Sequence, residues 1–268
     1  MINVMQWKKM ILLVYVFFLF IALILLIFKY RHKEYFELAK ELVPNPNVVF
    51  GDDSLYICIV GDSWAYYHKS HDSHLAQLIQ LRVGQAVKVK SYGICGLTSK
   101  GVYNNLFDRS SREYAFTEIP DYCIVFAGIN DTDRKVGRLF YKSHMKLIVD
   151  YLLRLKVTPI VFEIPHFDIV SSFISKDYKT QFFYLASMFT TISNLDCIKD
   201  YRKQFEKMYD KEGWDGKVLY IYSDSWNPNG FKDGRNLYTD DMMHLNDYGY
   251  NILDSCIVNT IFPSPYEE

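Results

Sequence analysis

Two hydrophobic patterns divide this chain. From Met10 to Phe28 the residues are almost continuously Ile, Leu, Val, Phe and Met, with no charge. As a helix rising about 1.5 Å per residue, that run covers about 28 Å, enough to cross the core of a bilayer. Apolar residues fall on every face, which sets it apart from a half-wet core helix. Lys8 and Lys9 flank one end, and Lys29, Arg31 and Lys33 the other. A cleaved signal peptide has a shorter apolar region and a small-residue cleavage site, whereas KYRHKEYF follows here. The expectation is a retained single-pass anchor over residues 1–29. The cationic residues lean toward a cytoplasmic catalytic domain, but two before the span against four after it, Lys40 included, leave the membrane side undetermined. Residues 30–43 read as a short amphipathic helix, ended by Pro44-Asn45-Pro46-Asn47, so that 30–47 forms a juxtamembrane helix and linker.

From Val48 onward, short apolar runs alternate with longer mixed segments. Runs at 55–60, 86–91, 122–127, 159–164 and 218–222 are bounded by turn residues and read as buried parallel strands. Helical spacing falls at 73–82, 100–107, 142–155, 178–208 (with a break) and 247–261. Five strands alternating with helices predict one parallel sheet covered on both faces, a single domain over 48–268.

Composition narrows the function. The net charge is −1 and no basic block stands out, which argues against a nucleic-acid partner. Aromatic residues make up 17% of the chain and are spread along it, so packing explains them before sugar stacking does. Cys58, Cys95, Cys123, Cys197 and Cys256 form no CxxC pair or disulfide spacing, and read as mostly buried free thiols.

The candidate chemistry lies at strand ends. Gly61-Asp62-Ser63 follows the first strand; a glycine permits the sharp turn, and the helix start leaves free N–H groups beside the hydroxyl. Asp62 supports this turn by hydrogen bonding rather than reacting. Ser91-Tyr92-Gly93-Ile94-Cys95-Gly96-Leu97-Thr98 follows the second strand, where glycines allow close backbone approach. Gly128-Ile129-Asn130-Asp131 follows the third, and an Asn amide there can donate to a developing negative charge. Asp241-Met242-Met243-His244-Leu245-Asn246 precedes the last helix; an Asp three residues before a His can fold back onto the imidazole. Each segment alone is equally an ordinary turn or cap. A metal at the DxxH segment would need further ligands, and no complementary cluster is evident.

Together and in this order, the GDS, glycine, GxND and DxxH blocks resemble the SGNH hydrolase superfamily, the GDSL esterases and lipases. The resemblance covers about residue 48 to the end. It implies a three-layer α/β/α, flavodoxin-like fold with a five-stranded parallel sheet. It implies Ser63 as nucleophile, His244 as general base and Asp241 as the group orienting His244. The Ser63 and Gly96 N–H groups and the Asn130 side chain would form the oxyanion hole, with no cofactor and no metal. Trp64 stands where the family has Leu and would shape the pocket. Ser91 stands where many members have Asn.

Among the other candidates, helical drift makes His68, His71 and His74 a partly exposed helix start rather than a ligand set. His166 is balanced between substrate contact and a loop role. Asp131 and Asp133 read as caps of the next helix, and Tyr222, Trp226 and Tyr238 as packing rather than a sugar platform. The expected activity is hydrolysis of a small O-acyl ester, an O-acetyl on a carbohydrate for example, with the bilayer as the other partner. An O-acyltransferase using the same site and a non-catalytic, membrane-tethered glycan-binding module are the alternatives. The pocket-shaping segment 167–240, the acyl group and the oligomeric state are not readable from the sequence.

Overall fold

The computed structural model describes residues 4–31, 37–41, 49–50, 54–107, 116, 118–232 and 234–263. Its core is a five-stranded parallel sheet: β1 (Leu55–Gly61), β2 (Val87–Gly93), β3 (Tyr122–Phe126), β4 (Thr158–Phe162) and β5 (Leu219–Ile221), in the order β2-β1-β3-β4-β5. All four pairings are parallel. The apolar runs of β1 and β3 are uninterrupted because both faces are covered: Ile57, Cys58, Ile59, Cys123, Ile124 and Val125 are fully buried. Residues 49–50 and 118–119 make a separate two-stranded parallel pair.

One helical layer contains α3 (Asp72–Val83), which packs on β2, and α11 (Asp247–Ile261), which packs on α3 and β5. The other contains α4 (Ser99–Asn105), α6 (Arg138–Arg154) and α9 (Ile198–Glu212). Helix α6 shows why: Tyr141, Met145, Ile148, Val149 and Leu152 recur at helical spacing and are all buried. From β1 the chain crosses outward to β2, then returns to β3 on the opposite side of β1. The crevice at the carboxyl ends of β1 and β3 is therefore the topological switch point, where open α/β sheets hold their ligands.

The strands and most helices fall within a few residues of the expected ranges. The long segment at 178–208 divides into α8 (Tyr178–Thr191) and α9, because Ile192 takes a left-handed conformation, φ +52°, as the C-cap. Helix α7 (Ile169–Ser175) lies in the segment whose role the sequence left unread.

Helix α1 (Val4–Arg31) contains a 25-residue stretch, Gln6–Tyr30, long and apolar enough to cross a membrane. Its side chains stand exposed from Gln6 to Leu23, Ile24 and Leu25 are half-buried, and Phe28 is buried with its ring 5.0 Å from that of Phe183 on α8. The expected amphipathic helix at 30–43 is corrected in part. Residues 37–41 are not helical, and the rest of that range beyond Arg31, with the Pro-Asn linker, lies outside the described residues. Instead of forming a free helix, this segment docks on α6: Ala39 N–H donates to His144 Nε2 at 3.0 Å, and Glu41 pairs with Arg154. Burial pulls the His144 imidazole down to about 4, which keeps it neutral and able to accept that bond.

Candidate active site

At the end of β1, Asp62 caps α2 (Ser63–His68) by accepting from Trp64 N–H at 3.0 Å. This places Ser63 at the first helical position, where the backbone N–H has no intrahelical partner. The loop before α11 brings His244 across the switch point. His244 Nε2 lies 2.9 Å from Ser63 Oγ, and Nδ1 lies 2.5 Å from Asp241 Oδ2. Burial opposes ionisation of Asp241, but hydrogen bonds from the His244 amide and side chain, the Met243 amide and Thr239 outweigh it, holding its pKa down at about 2. An ionised carboxylate can only accept, so His244 Nδ1 carries the proton there. In neutral His244, Nε2 is then left to accept from the Ser63 hydroxyl.

The histidine loop is fixed from several sides. Met242 adopts φ +52°, tightening the turn between Asp241 and His244. Thr239 N–H donates to His244 O at 2.8 Å, and the Trp64 indole N–H donates to Met243 O at 3.1 Å. Trp64 is thus a buried brace between Phe126 and Trp226 rather than the shaper of an open pocket. Its ring also borders a small internal cavity under Asp62 with room for about one water molecule. Tyr67, on the exposed side of α2, meets the His244 ring edge-on at 5.2 Å.

The glycine block is tied to the same strand end by Ile94 N–H donating to Gly61 O at 3.2 Å. Gly96 sits at φ +80°, a conformation that favours glycine. Asn130 lies on α5 (Ile129–Asp133), and its Nδ2 donates to Asp62 Oδ2 at 3.4 Å. Burial raises the Asp62 carboxyl to about 7, opposed by the bonds it accepts from Trp64 and Asn130. The structure therefore gathers Ser63, Asp62, Asn130, His244 and Asp241 into one bonded group, with the Gly96 turn beside it.

Some expectations need correction. Asp131 and Asp133 do not cap the next helix, which begins after Gly137; they belong to α5 itself. Asp131 is buried and accepts from the Ser99 amide and hydroxyl at 2.7 and 2.6 Å, tying α5 to the α4 turn. Asp133 accepts from Ser172 and Tyr184. His68, His71 and His74 match the partly exposed helix start only at His74, which is half-buried on α3; His68 and His71 are buried where the chain passes through a short 3-10 turn at Lys69–His71. His68 is fully buried, with Nε2 2.8 Å from Asp254 and Nδ1 3.1 Å from Ser91 Oγ and 3.3 Å from Asp72. Asp254, on α11, was not visible as their partner in a linear reading. Its second oxygen bonds His74 at 2.7 Å, and with His71 these groups place three potential ligand atoms within 4.8 Å of one another. Ser91 is thus part of this buried network. Cys58, Cys123 and Cys197 are buried as expected, whereas Cys95 is exposed in its turn. His166 Nε2 accepts from Arg202 at 3.1 Å, and Trp226 and Tyr238 are packed inside while Tyr222 stays half exposed.

The His68 network yields a pH prediction. Burial lowers the imidazole pKa, but the hydrogen bonds with Asp254 and Asp72 outweigh it and raise the value from 6.5 to about 9. A folded-state pKa above the unfolded one gives stability that is complete below 6.5 and lost as pH rises through about 9. The melting temperature of the full chain should fall across that window, and His68→Asn should flatten the slope. An unchanged slope in His68→Asn would dismiss His68 as the source.

Sequence reasoning passed over Arg134. It follows Asn130 by four residues, so the two share a face of α5. A Cβ built on Gly96 would come within 3.1 Å of its guanidinium, which places Arg134 over the glycine turn. The i, i+4 spacing was the available signal.

No family model and no curated protein matches this sequence. Solved structures do match. The lipase/acylhydrolase from Enterococcus faecalis aligns with a TM-score of 0.52 at 16% identity, over 80% of this chain and 99% of that one. The psychrotrophic esterase EstA from a Pseudoalteromonas species aligns with a TM-score of 0.50 at 13% identity, over 78% of this chain and 97% of that one. The structure named TesA aligns with a TM-score of 0.51 at 12% identity, over 77% and 99%. At such identities the likeness is one of architecture. This chain has the fold of the SGNH, or GDSL, hydrolases.

Proposed function

We propose that the protein is a membrane-anchored serine esterase acting on a small O-acyl ester, an O-acetyl group on a carbohydrate in the first instance. The observation that carries the catalytic reading is the continuous chain Ser63 Oγ–His244 Nε2, His244 Nδ1–Asp241 Oδ2, at 2.9 and 2.5 Å. The structural neighbours include a lipase/acylhydrolase and an esterase, which supports the same reaction class. The groove beside His244 has mixed walls, with Tyr67, Leu245 and Tyr250 among Ser70, His71 and Asp247, so the choice of a carbohydrate ester rests on the fold family and the anchor rather than on this groove. Residues 1–29 serve as the retained anchor, 30–47 as the connector and 48–268 as the catalytic domain.

The reaction follows from the charges. His244 Nε2 takes the Ser63 proton as Oγ attacks the ester carbonyl carbon. The negative charge that develops on the carbonyl oxygen is met by the Ser63 and Gly96 N–H groups and by Asn130 Nδ2. Asp241 stabilises the imidazolium. His244 then returns the proton to the departing alkoxide, leaving Ser63 acylated. Water, deprotonated by His244, attacks the acyl carbon; the acid leaves and Oγ regains its proton. Asp62 holds the Asn130 amide and stays outside these transfers.

The full chain in detergent, assayed against p-nitrophenyl esters of increasing acyl length and against an O-acetylated oligosaccharide, tests this reading. Turnover falling with chain length and release of free acetate are expected. Acetyl transfer to added sugar without free acid would replace the hydrolase by a transferase. Failure of a fluorophosphonate probe to label the wild type would overturn the enzyme reading. Asn130→Ala should lower kcat by about a hundredfold, about 3 kcal/mol, with KM little changed. A full-rate Asn130→Ala enzyme would remove that amide from the oxyanion hole.

A further inference from the structure

The catalytic domain carries an apolar stripe that its own core does not use. On α8, Tyr178, Phe182, Leu185 and Phe189 recur at spacings of four, three and four, and so share one helix face, and Ile192 follows as the C-cap. All five are exposed: Phe189 by 78%, Ile192 by 83% and Tyr178 by 90%. On α7, Ile174 is exposed by 67%. From Tyr178 to Ile192 there is no acidic residue and one lysine, Lys179. A contiguous apolar face of this kind on a water-facing helix marks a contact surface.

The end of α1 indicates what it contacts. Phe28 is the last apolar residue of the span before Lys29, and it is buried against Phe183 on α8. Lys29 and Arg31 mark the depth at which a spanning helix meets the headgroups. Helix α8 therefore touches the end of α1 at Phe183, and the docking of Ala39 and Glu41 on α6 fixes the domain to the emerging chain at a second place.

We propose that the α7–α8 face lies on the lipid surface itself, with its aromatic stripe in the headgroup region beside the anchor. This rests on the anchored reading of α1. A charged or polar rim with an apolar, acid-free stripe is the make-up of helices that lie in the bilayer interface. The consequence for function is positional. The N-cap of α7, Asp168, donates its N–H to Met242 O in the histidine loop at 3.1 Å, and Asp133 of the Asn130 helix receives Ser172 and Tyr184 from α7 and α8. The surface that rests on lipid is thus bonded directly to both halves of the site. The site acts on esters held close to the bilayer, not on freely diffusing polymer far from it.

Photocrosslinking from single p-benzoylphenylalanine positions tests this in the full chain reconstituted into vesicles of phosphatidylcholine and phosphatidylglycerol. The probe is placed at Leu19 in α1, at Phe182 and Phe189 in the stripe, and at Leu81, exposed on α3. Phospholipid adducts, read as a mass increase, are expected at 19, 182 and 189 and not at 81. Adducts at 19 with none at 182 and 189, or protein–protein adducts there, would overturn the docking while leaving the anchor standing. No adduct at 19 would remove the anchor and the docking with it. Equal yields at 81 would show that no particular face meets lipid. As a second measurement, Phe182→Ser with Phe189→Ser should leave hydrolysis of a soluble acetyl ester unchanged and reduce hydrolysis of a vesicle-embedded acetyl ester. Equal rates on the embedded ester would again count against it.

Discussion

Replacing Ser63 by alanine is expected to abolish ester hydrolysis and fluorophosphonate labelling, while the melting temperature stays near that of the wild type. Loss of a nucleophile in a serine triad lowers turnover by about 10⁴-fold or more, and the small remainder reflects oxyanion binding alone. Structural damage is small because one oxygen and one hydrogen bond are lost, the 2.9 Å contact with His244. That contact costs about 1 kcal/mol at most. The triad acts as a unit, so His244→Ala should match Ser63→Ala, and the double variant should be no slower than either single one. Additive losses in the double variant would mean that His244 works independently of Ser63, contrary to the geometry. Labelling of Ser63→Ala equal to the wild type would move the nucleophile elsewhere.

Gly61→Ala is the variant with the largest expected effect on folding. Gly61 lies at the end of β1, directly between β2 and β3, opposite Gly93 and Phe126. A Cβ there would stand 2.2 Å from Phe126 O and 2.8 Å from Phe126 Cβ. The first of these is backbone at the centre of the sheet, which also accepts the Asp62 N–H, so rotation of a side chain cannot relieve it. The two strands would have to part at the switch point. A cost above about 4 kcal/mol follows, enough to remove most folded protein from a domain of ordinary stability. Gly84→Ala is the comparison: nothing lies within 4 Å of its added Cβ, and only its φ of +71° opposes the change. About 1 kcal/mol is expected there. Thermal melts of the two variants side by side check the claim, and a Gly61→Ala protein as stable as Gly84→Ala would refute it.

The proposed α7–α8 docking and the catalytic proposal meet at the bond from Asp168 to the histidine loop and at Asp133, which Ser172 and Tyr184 hold. An enzyme whose base is braced by the element resting on lipid will work on substrates delivered along that surface.

Much of this was written in the linear chain, for local reasons. Uninterrupted Ile and Val runs specify strands buried on both faces, so five strands and their order of appearance could be read directly. Gly61-Asp62-Ser63 announces a strand-to-helix turn because its glycine, cap and hydroxyl act within a few residues of one another. Asp241 and His244 are likewise a local pair, three residues apart. That 10–28 is long and apolar enough to cross a membrane is legible because a bilayer sets a length and a composition, not a partner. Other features depended on groups far away in sequence. That His68 is a buried ion-pair partner depends on Asp254, 186 positions later, and no periodicity carries that information. Asp131 looked like a helix cap because its true donor, Ser99, comes from another βα turn. Trp64 looked like a pocket residue until the loop it braces was in place. The stripe on α8 alternates at helical spacing like any amphipathic helix, and only folding showed that its apolar side points outward, beside the end of α1. Residue type and short-range spacing specified the elements and the candidate reacting groups, because strand burial, capping and the Asp–His turn are decided within a few residues. Which of those groups meet, and which faces stay uncovered, was decided by tertiary packing, because convergence at the switch point and the pairing of buried charges join residues that nothing in the linear pattern links.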